Sequence, residues 1–184
     1  KTSKGISIKH IQKVEVVAGQ IKITETVSLP KQLDDVARVG INFELNGALE
    51  NYEYFGVGPH ESVPDRALGK VGRYFGKVES QLTDYIKPQE NGARADVRWF
   101  TATESSGRGP QVRLDKPRFV TISPFTSETL AETSHNVDLK PSGNVVVTID
   151  AIQRGVGTAS CGPDTLDKYR IKPGIYNWSW EYLF

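Results

Sequence analysis

Two stretches of the sequence are dense in polar side chains that could do chemistry. In the first, residues 56–66, the side chains of Glu61, Asp65 and Arg66 fall within six residues of a proline-set loop. Two carboxyl groups about 5 Å apart, or about 6.5–9.5 Å apart, are the equipment of retaining and inverting glycoside hydrolysis respectively. The simpler interpretation, which we prefer, is that Arg66 bridges both carboxylates and fixes the loop.

The second stretch covers residues 85–99. Its loop half offers amide and carboxylate groups, Gln89 and Glu90 among them, of the kind that bind sugars. Its strand half carries Arg94, Asp96 and Arg98 at alternate positions, so that a regular strand would place all three on one face. Such a charge ladder predicts a solvated surface or a contact with another domain.

The remaining reactive side chains are scattered. His10, His60 and His135 are isolated from one another, and their spacing predicts no metal site. Cys161 could form a nucleophilic pair with His60 or His135, but nothing around it marks an activated thiolate, so an ordinary small or loop thiol is preferred. The glycines of residues 155–157 lack the third glycine and the following helix of a phosphate-binding loop.

Composition narrows the function classes further. The chain has 184 residues, about one domain, with 23 Lys and Arg against 22 Asp and Glu. This balance argues against a nucleic-acid-binding surface, which needs a concentrated basic excess. The longest apolar run, near residues 145–147, is far short of the roughly 20 residues of a membrane span. One cysteine permits no internal disulfide, which leaves cytoplasm and periplasm both open.

The elements that position these side chains are mainly strands. Apolar residues alternate with polar ones over residues 37–45, 95–99 and 176–182, the pattern of strands with one buried face. One helix is predicted over residues 127–133, capped by Thr126. Many strands with little helix predict a sandwich or barrel. Further β-rich segments are residues 6–10, 13–17, 21–29, 52–55, 119–123 and 145–149.

Three motifs in a fixed order carry a family resemblance. Residues 56–66, 85–99 and 155–164, preceded by Ala37-Arg38-Val39-Gly40, closely resemble the C-terminal domain of bacterial β-galactosidases of glycoside hydrolase family two. In some bacteria that domain is a separate small chain. The resemblance implies an all-β fold, an antiparallel sandwich of the galactose-mutarotase-like super-sandwich type, with residues 1–184 forming one domain.

That super-sandwich is longer than this chain. The resemblance therefore implies that the first strands of one sheet lie outside residues 1–184. We expect a rearranged N-terminal segment or a homodimer contact to cover the apolar edges that this leaves.

The resemblance also assigns roles. The family's catalytic glutamates lie in a separate barrel, so Glu61, Asp65, Arg66, Glu90 and Arg94 are expected to be structural and no residue of this chain catalytic. The substrate-binding residues are expected in the third motif, as Cys161 with its neighbours Ser160 and Gly162. Some family members have a Trp at the position of Cys161, where its ring stacks on sugar.

The resemblance implies that this chain is an accessory domain of a β-galactosidase and shapes the mouth of its active site. The enzyme is expected to hydrolyse β-galactosides such as lactose with retention of configuration. It implies as partners the barrel and other domains, in the same chain or in a large chain, with Mg²⁺ and Na⁺ bound in the catalytic domain and no cofactor here. A bacterial cytoplasm or periplasm is the expected compartment.

Three other functions compete with this one. The first is a purely structural role at a subunit or domain interface, with the face of Arg94, Asp96 and Arg98 and the C-terminal aromatic strand as contact surfaces. A stand-alone carbohydrate-binding module would use surface aromatics, for which Tyr52, Tyr54, Tyr74 and Trp99 are the candidates, although core packing is the preferred interpretation. Ring opening of an aldose by His60 and Glu61 is disfavoured, because some relatives carry Gln at the His60 position.

Overall fold

The structure is a computed structural model that describes residues 5–158 and 161–184. Nine strands and one short helix occupy these residues, joined by loops and three single 3₁₀ turns. The helix α1 spans Ser127–Glu132. The strands are β1 (Lys9–Val17), β2 (Gln20–Leu29), β3 (Arg38–Asn46), β4 (Asn51–Gly58), β5 (Lys70–Lys77), β6 (Arg94–Thr103), β7 (Gln111–Ser123), β8 (Asn144–Gln153) and β9 (Gly174–Leu183).

All of the pairings between these strands are antiparallel. The main path runs β1-β2-β9-β7-β6-β4-β5, and the sheet branches at β7, whose second half also pairs with β8, the partner of β3. The branch follows from the length of β7: residues 111–114 pair with β9, whereas residues 119–123 pair with β8. Pro117 lies between the two paired segments, where a residue without an N–H removes no ladder hydrogen bond.

The branch gives the fold its two layers. It carries the β3–β8 pair over the face of β2 and β9, where the Phe43 and Trp180 rings stack with centroids 5.0 Å apart and planes within 7°. Alternation decides which side chains enter the space between the layers: in β9, Trp178 is 2% exposed and Trp180 is 8% exposed, with half-exposed Ser179 between them. The all-β sandwich predicted from the sequence is confirmed.

Several element boundaries differ from the predicted ones. Residues 6–10 and 13–17 were predicted as two segments, but one continuous strand, β1, pairs along its whole length with β2. Strand β5 and the first half of β7 were not predicted. Their Lys, Gly and Arg residues interrupt the run of β-branched and aromatic residues that indicates a strand. The helix is confirmed, with Thr126 Oγ1 accepting a hydrogen bond from the Thr129 amide at 3.1 Å. No helix within the described residues has the length and apolarity to cross a membrane.

Candidate functional site

The first and third sequence motifs meet at Asp65. Its carboxylate accepts hydrogen bonds from the backbone amides of Val156 at 3.0 Å and Gly157 at 2.7 Å, and from Thr165 Oγ1 at 2.9 Å. Burial opposes ionisation of Asp65, but these hydrogen bonds together outweigh it and hold the pKa of the carboxyl below its ordinary value. An ionised carboxylate with three donors is a structural latch between two loops.

Local sequence explains how Asp65 reaches this position. Val63 and Arg66 exchange two backbone hydrogen bonds, of 3.1 and 2.9 Å, which close a tight turn with Pro64 and Asp65 at its tip. On the other side, glycines let the third motif come close. A Cβ on Gly155 would lie 2.7 Å from the Asp65 carboxylate, and Gly157 has a φ of +60°.

The arginine clamp predicted for the first motif is present for one carboxylate. Arg66 Nη2 lies 3.3 Å from Glu61 Oε1, and both side chains are partly exposed. Asp65, which Arg66 was expected to bridge as well, is bound by the third motif instead. The two acidic residues therefore have different partners, Arg66 for Glu61 and the third motif for Asp65.

A chain of alternating charges makes a second anchor for the third motif. Arg154 donates to both carboxylate oxygens of Asp35, at 2.8 and 3.1 Å, and to both oxygens of Asp164, at 2.8 and 3.0 Å. Arg170 adds a 2.9 Å hydrogen bond to Asp164. The side-chain hydrogen bond from Arg154 is the main cause that lowers the pKa values of Asp35 and Asp164. Sequence reasoning missed this network, since no short spacing links Asp35 with residues beyond 150.

Between the two anchors, the third motif forms an outward turn. The Cys161 amide donates to the Thr158 carbonyl at 2.9 Å, and the Thr158 amide donates to the Pro163 carbonyl at 3.1 Å. Cys161 and Gly162 are exposed. Ser160, the third predicted substrate-binding residue, lies outside the described residues. The turn thus projects Cys161 and Gly162 to solvent from a base that is held on both sides.

The prediction of an exposed ladder in the second motif is wrong for Arg94. This side chain is 5% exposed, and its guanidinium donates to the Gly92 carbonyl at 2.7 Å and to Gln81 Oε1 at 3.0 Å. The reason is a bulge: the register of β6 against β7 shifts after Arg94, and Asp96 has a φ of +52°. The bulge breaks the period of two, so exposed Asp96 does not continue the face of Arg94.

Glu90, from the same motif, is the outer member of a row of three charged side chains that ends at a buried carboxylate. Arg38 Nη2 lies 2.5 Å from Glu90 Oε2, and Arg38 Nε lies 3.9 Å from Asp150 Oδ1. Asp150 is fully buried, and this burial raises its pKa to about 6 despite Arg38 and a 2.7 Å hydrogen bond from Gln153. Gly40 is required beside it, because a Cβ there would lie 2.2 Å from Asp150 Oδ1. Sequence reasoning did not single out Asp150.

The aromatic residues considered for sugar stacking lie mainly in the core. Tyr52 and Tyr54 are each 1% exposed and stack on one another with ring centroids 5.2 Å apart. Tyr74 packs beside Tyr54, and the half-buried Trp99 stacks on Phe55. Core packing, the preferred interpretation, is confirmed for Tyr52 and Tyr54, which leaves these two rings no face for a sugar.

The described residues hold no group of three or more His, Cys, Asp and Glu side chains placed to bind a metal ion. His60 is exposed at the first motif, and His135 lies 3.8 Å from Asp138.

Comparison with known proteins agrees with the three motifs. Residues 4–183 match the family described as β-galactosidase small chain. The β-galactosidase of Actinobacillus pleuropneumoniae is 32% identical over 90% of this chain and 16% of its own length. That of Kluyveromyces lactis is 32% identical over 95% of this chain and 17% of its own length. The chain thus spans about a sixth of these relatives, and it belongs to the β-galactosidase small-chain family.

Proposed function

We propose that this chain is an accessory domain of a β-galactosidase that shapes the mouth of the active site. The reaction is hydrolysis of terminal, non-reducing β-D-galactosides such as lactose, with retention of configuration. Retention needs two carboxyl groups about 5 Å apart, one as nucleophile and one as acid and base. Both are supplied by a catalytic barrel outside this chain, in the same polypeptide or in a large chain, and any Mg²⁺ and Na⁺ ions bind there.

The observation that carries the proposal is the double anchoring of the third motif. Asp65 holds the start of this segment through the Val156 and Gly157 amides, and Arg154 holds its end through Asp164. A loop that contacts a substrate must keep its shape when the substrate is absent, or the cost of ordering it weakens binding. Anchors hold Val156 and Gly157 at one end and Asp164 at the other, while Cys161 and Gly162 between them are exposed.

Within the loop, Cys161 and Gly162 form the surface offered to the sugar or aglycone beyond the galactose pocket, with Ser160 as their neighbour. A thiol contributes a small apolar contact and a weak hydrogen bond. It lacks the flat area of an aromatic ring, whose contacts dominate at many binding sites. The acceptor site of this enzyme is therefore wide and weakly binding compared with one lined by an aromatic residue.

A mixing experiment tests the proposal. The 184-residue chain alone is expected to release no nitrophenol from nitrophenyl β-galactoside above a mock purification. Added to the barrel-bearing remainder of its enzyme, it is expected to raise the rate of release in proportion to the complex formed. Hydrolysis by the isolated chain, or full activity of the remainder without it, would contradict the proposal.

A further inference from the structure

The three sequence motifs meet around one cavity, which has a volume of about 330 Å³. Glu61 lines it from the first motif, Glu90 from the second and Val156 from the third. Small ligands occupy protein cavities of about 300–1,000 Å³, so this one lies at the small end of that range. We call it the motif cavity.

A bulge in β8 brings Gln153 to the motif cavity. Arg38 of β3 lies opposite Gln153, and Gly40 lies opposite Asp150, with Ala151 as the extra residue of β8. Because Arg38 and Gly40 are two positions apart on β3, they share a face. Gln153 therefore shares the face of Asp150, which the regular period of β8 would not allow. Its side chain lines the cavity and is only 7% exposed.

The amide group of Gln153 has one polar atom left for a ligand. Its nitrogen donates a 2.7 Å hydrogen bond to the Asp150 carboxylate, which fixes the orientation of the amide. Its oxygen accepts no hydrogen bond from residues 5–158 or 161–184. Thr121 also lines the cavity, and its buried hydroxyl lacks a partner in the same part of the chain. Buried polar atoms without partners are costly, so both favour a ligand that bonds to them.

The charged side chains around the cavity are balanced. Glu61 Oε1 lies 3.3 Å from Arg66, and Glu90 Oε2 lies 2.5 Å from Arg38. Because each acid has a base beside it, the cavity holds no excess charge that would select an ion. Each carboxylate nevertheless keeps further acceptor positions, and Arg38 Nη1 keeps its N–H groups, since its ion pairs use Nη2 and Nε. The lining can therefore both accept and donate hydrogen bonds.

These properties describe a neutral ligand with several hydroxyl groups. A hydroxyl donates to a carboxylate or an amide oxygen, and it accepts from a guanidinium. Val63, Ala93 and Val156 contribute apolar wall, which suits the C–H groups between the hydroxyls of a sugar ring. Val63 is 5% exposed and Val156 is 53% exposed, so the cavity runs from a buried end to a rim that solvent reaches.

We propose that the motif cavity binds one neutral monosaccharide, with Gln153, Glu61 and Glu90 accepting hydrogen bonds from its hydroxyl groups. The choice of galactose and glucose as ligands rests on the proposed function, because they are the two products of lactose hydrolysis. Arg154 and Val156 line the cavity at the base of the third motif, so a bound sugar contacts the segment that carries the exposed turn.

NMR titration of the 184-residue chain with galactose, and separately with glucose, tests the proposal. We expect the amide signals of Ala93, Thr121 and Val156 to shift and saturate with a Kd of about 1–10 mM for at least one sugar. Glycerol has hydroxyl groups but no ring, and should give no saturable shift. Absence of saturation with both sugars, or equal binding of glycerol, overturns the proposal. Shifts confined to Cys161 and Gly162 place the sugar on the exposed turn and also overturn it.

A matched pair of glutamate variants adds a second test. Glu61 and Glu53 are both partly buried, with side chains 19% and 31% exposed, and each pairs with one arginine. Glu61 lines the cavity, whereas Glu53 does not. Glu61→Gln is expected to weaken sugar binding at least about fivefold, because a charged acceptor becomes a neutral one, and Glu53→Gln less than about twofold. Equal weakening overturns the proposal.

A third variant covers the case in which Glu61→Gln fails to fold. Thr121→Val removes a hydroxyl that has no partner in the described part of the chain, so the fold should keep its stability. Sugar binding should nevertheless weaken at least about threefold. Unchanged binding in Thr121→Val together with unchanged binding in Glu61→Gln, or in Gln153→Leu where Glu61→Gln does not fold, overturns the proposal.

The two proposals fail in different ways. If the chain forms an active complex but binds neither sugar, the monosaccharide site is wrong and the accessory role stands. If the chain binds sugar in the motif cavity but its complex hydrolyses no galactoside, the proposed function is wrong and the monosaccharide site stands.

Discussion

The carboxylate of Asp65 accepts a 2.7 Å hydrogen bond from the Gly157 amide, across 92 residues of sequence. This contact joins two motifs that are each short and unremarkable alone, and it makes the position of an exposed loop depend on a residue in a distant turn. The first prediction tests that dependence.

Replacing Asp65 by Asn is expected to lower the free energy of unfolding by about 1–3 kcal/mol, since a charged acceptor of two backbone amides becomes a neutral one. Chemical denaturation measures the loss, and amide exchange at Val156 and Gly157 should accelerate. Asp84→Asn, at an exposed position, is the matched control and should change stability by less than about 0.5 kcal/mol. Equal losses of stability in the two variants would show that the hydrogen bonds to Asp65 do not hold the two loops together.

Alanine substitutions at two glycines with positive φ distinguish the cost of backbone strain from the cost of steric crowding. Gly143 has a φ of +87° with open space around its Cβ position, whereas a Cβ on Gly157 would lie 2.6 Å from the Thr165 amide nitrogen. Gly143→Ala should cost about 1–2 kcal/mol from strain alone. Gly157→Ala should cost clearly more in the same denaturation experiment. A smaller loss of stability for Gly157→Ala than for Gly143→Ala would show that the loop shifts to accommodate the added Cβ.

Asp150 predicts an unusual dependence of stability on pH. Its folded pKa of about 6 lies above the ordinary value near 4, so the folded protein binds the proton more tightly than the unfolded chain does. The stabilisation from Asp150 is therefore complete below about pH 4 and is lost as the pH rises through about 6, with a total of roughly 1–3 kcal/mol.

The measurement compares the protein with its Asp150→Asn variant between pH 4 and 7. The difference isolates Asp150 from Asp35, Asp65 and Asp164, whose lowered pKa values give the opposite trend at lower pH. The protein should lose stability relative to the variant as the pH rises. A constant difference would show that Asp150 ionises normally beside Arg38.

Cys161→Trp tests the acceptor site in the assembled enzyme. An aromatic ring that stacks on sugar adds about 0.5–1.5 kcal/mol, so the KM for lactose should fall roughly two- to tenfold and the share of transglycosylation should rise. Cys161→Ser keeps the size of the side chain and should leave both nearly unchanged. Unchanged KM and transglycosylation in the Trp variant would place residue 161 away from the sugar.

The sequence predicts those strands whose alternation matches one buried face. β3 and β9 satisfy this condition because each contributes one face to the space between the layers. β5 does not, since its Phe75 is 87% exposed and glycines take the place of its apolar residues. The alternating pattern therefore reports that one face of a segment is buried, and it identifies a strand only where such a face exists.

The candidate site was less predictable, for two physical reasons. The partners of Asp65 and Arg154 come from distant parts of the chain, and no local spacing encodes them. Arg94 was assigned to the surface because a bulge, set by the conformation of Asp96, breaks the period on which that assignment depended. The resemblance singled out the three motifs, and only the structure shows which side chains join them.

The pairing of β2 with β9 has a consequence for synthesis on the ribosome. The β1–β2 hairpin is made before the strand that pairs with β2, residues 174–183, which emerges about 145 residues later. At typical elongation rates of 5–20 residues per second, the hairpin waits on the order of ten seconds with its inner face in water. The nascent chain must therefore keep an apolar hairpin soluble until its last strand arrives, which makes this interval the time when a chaperone has most to do.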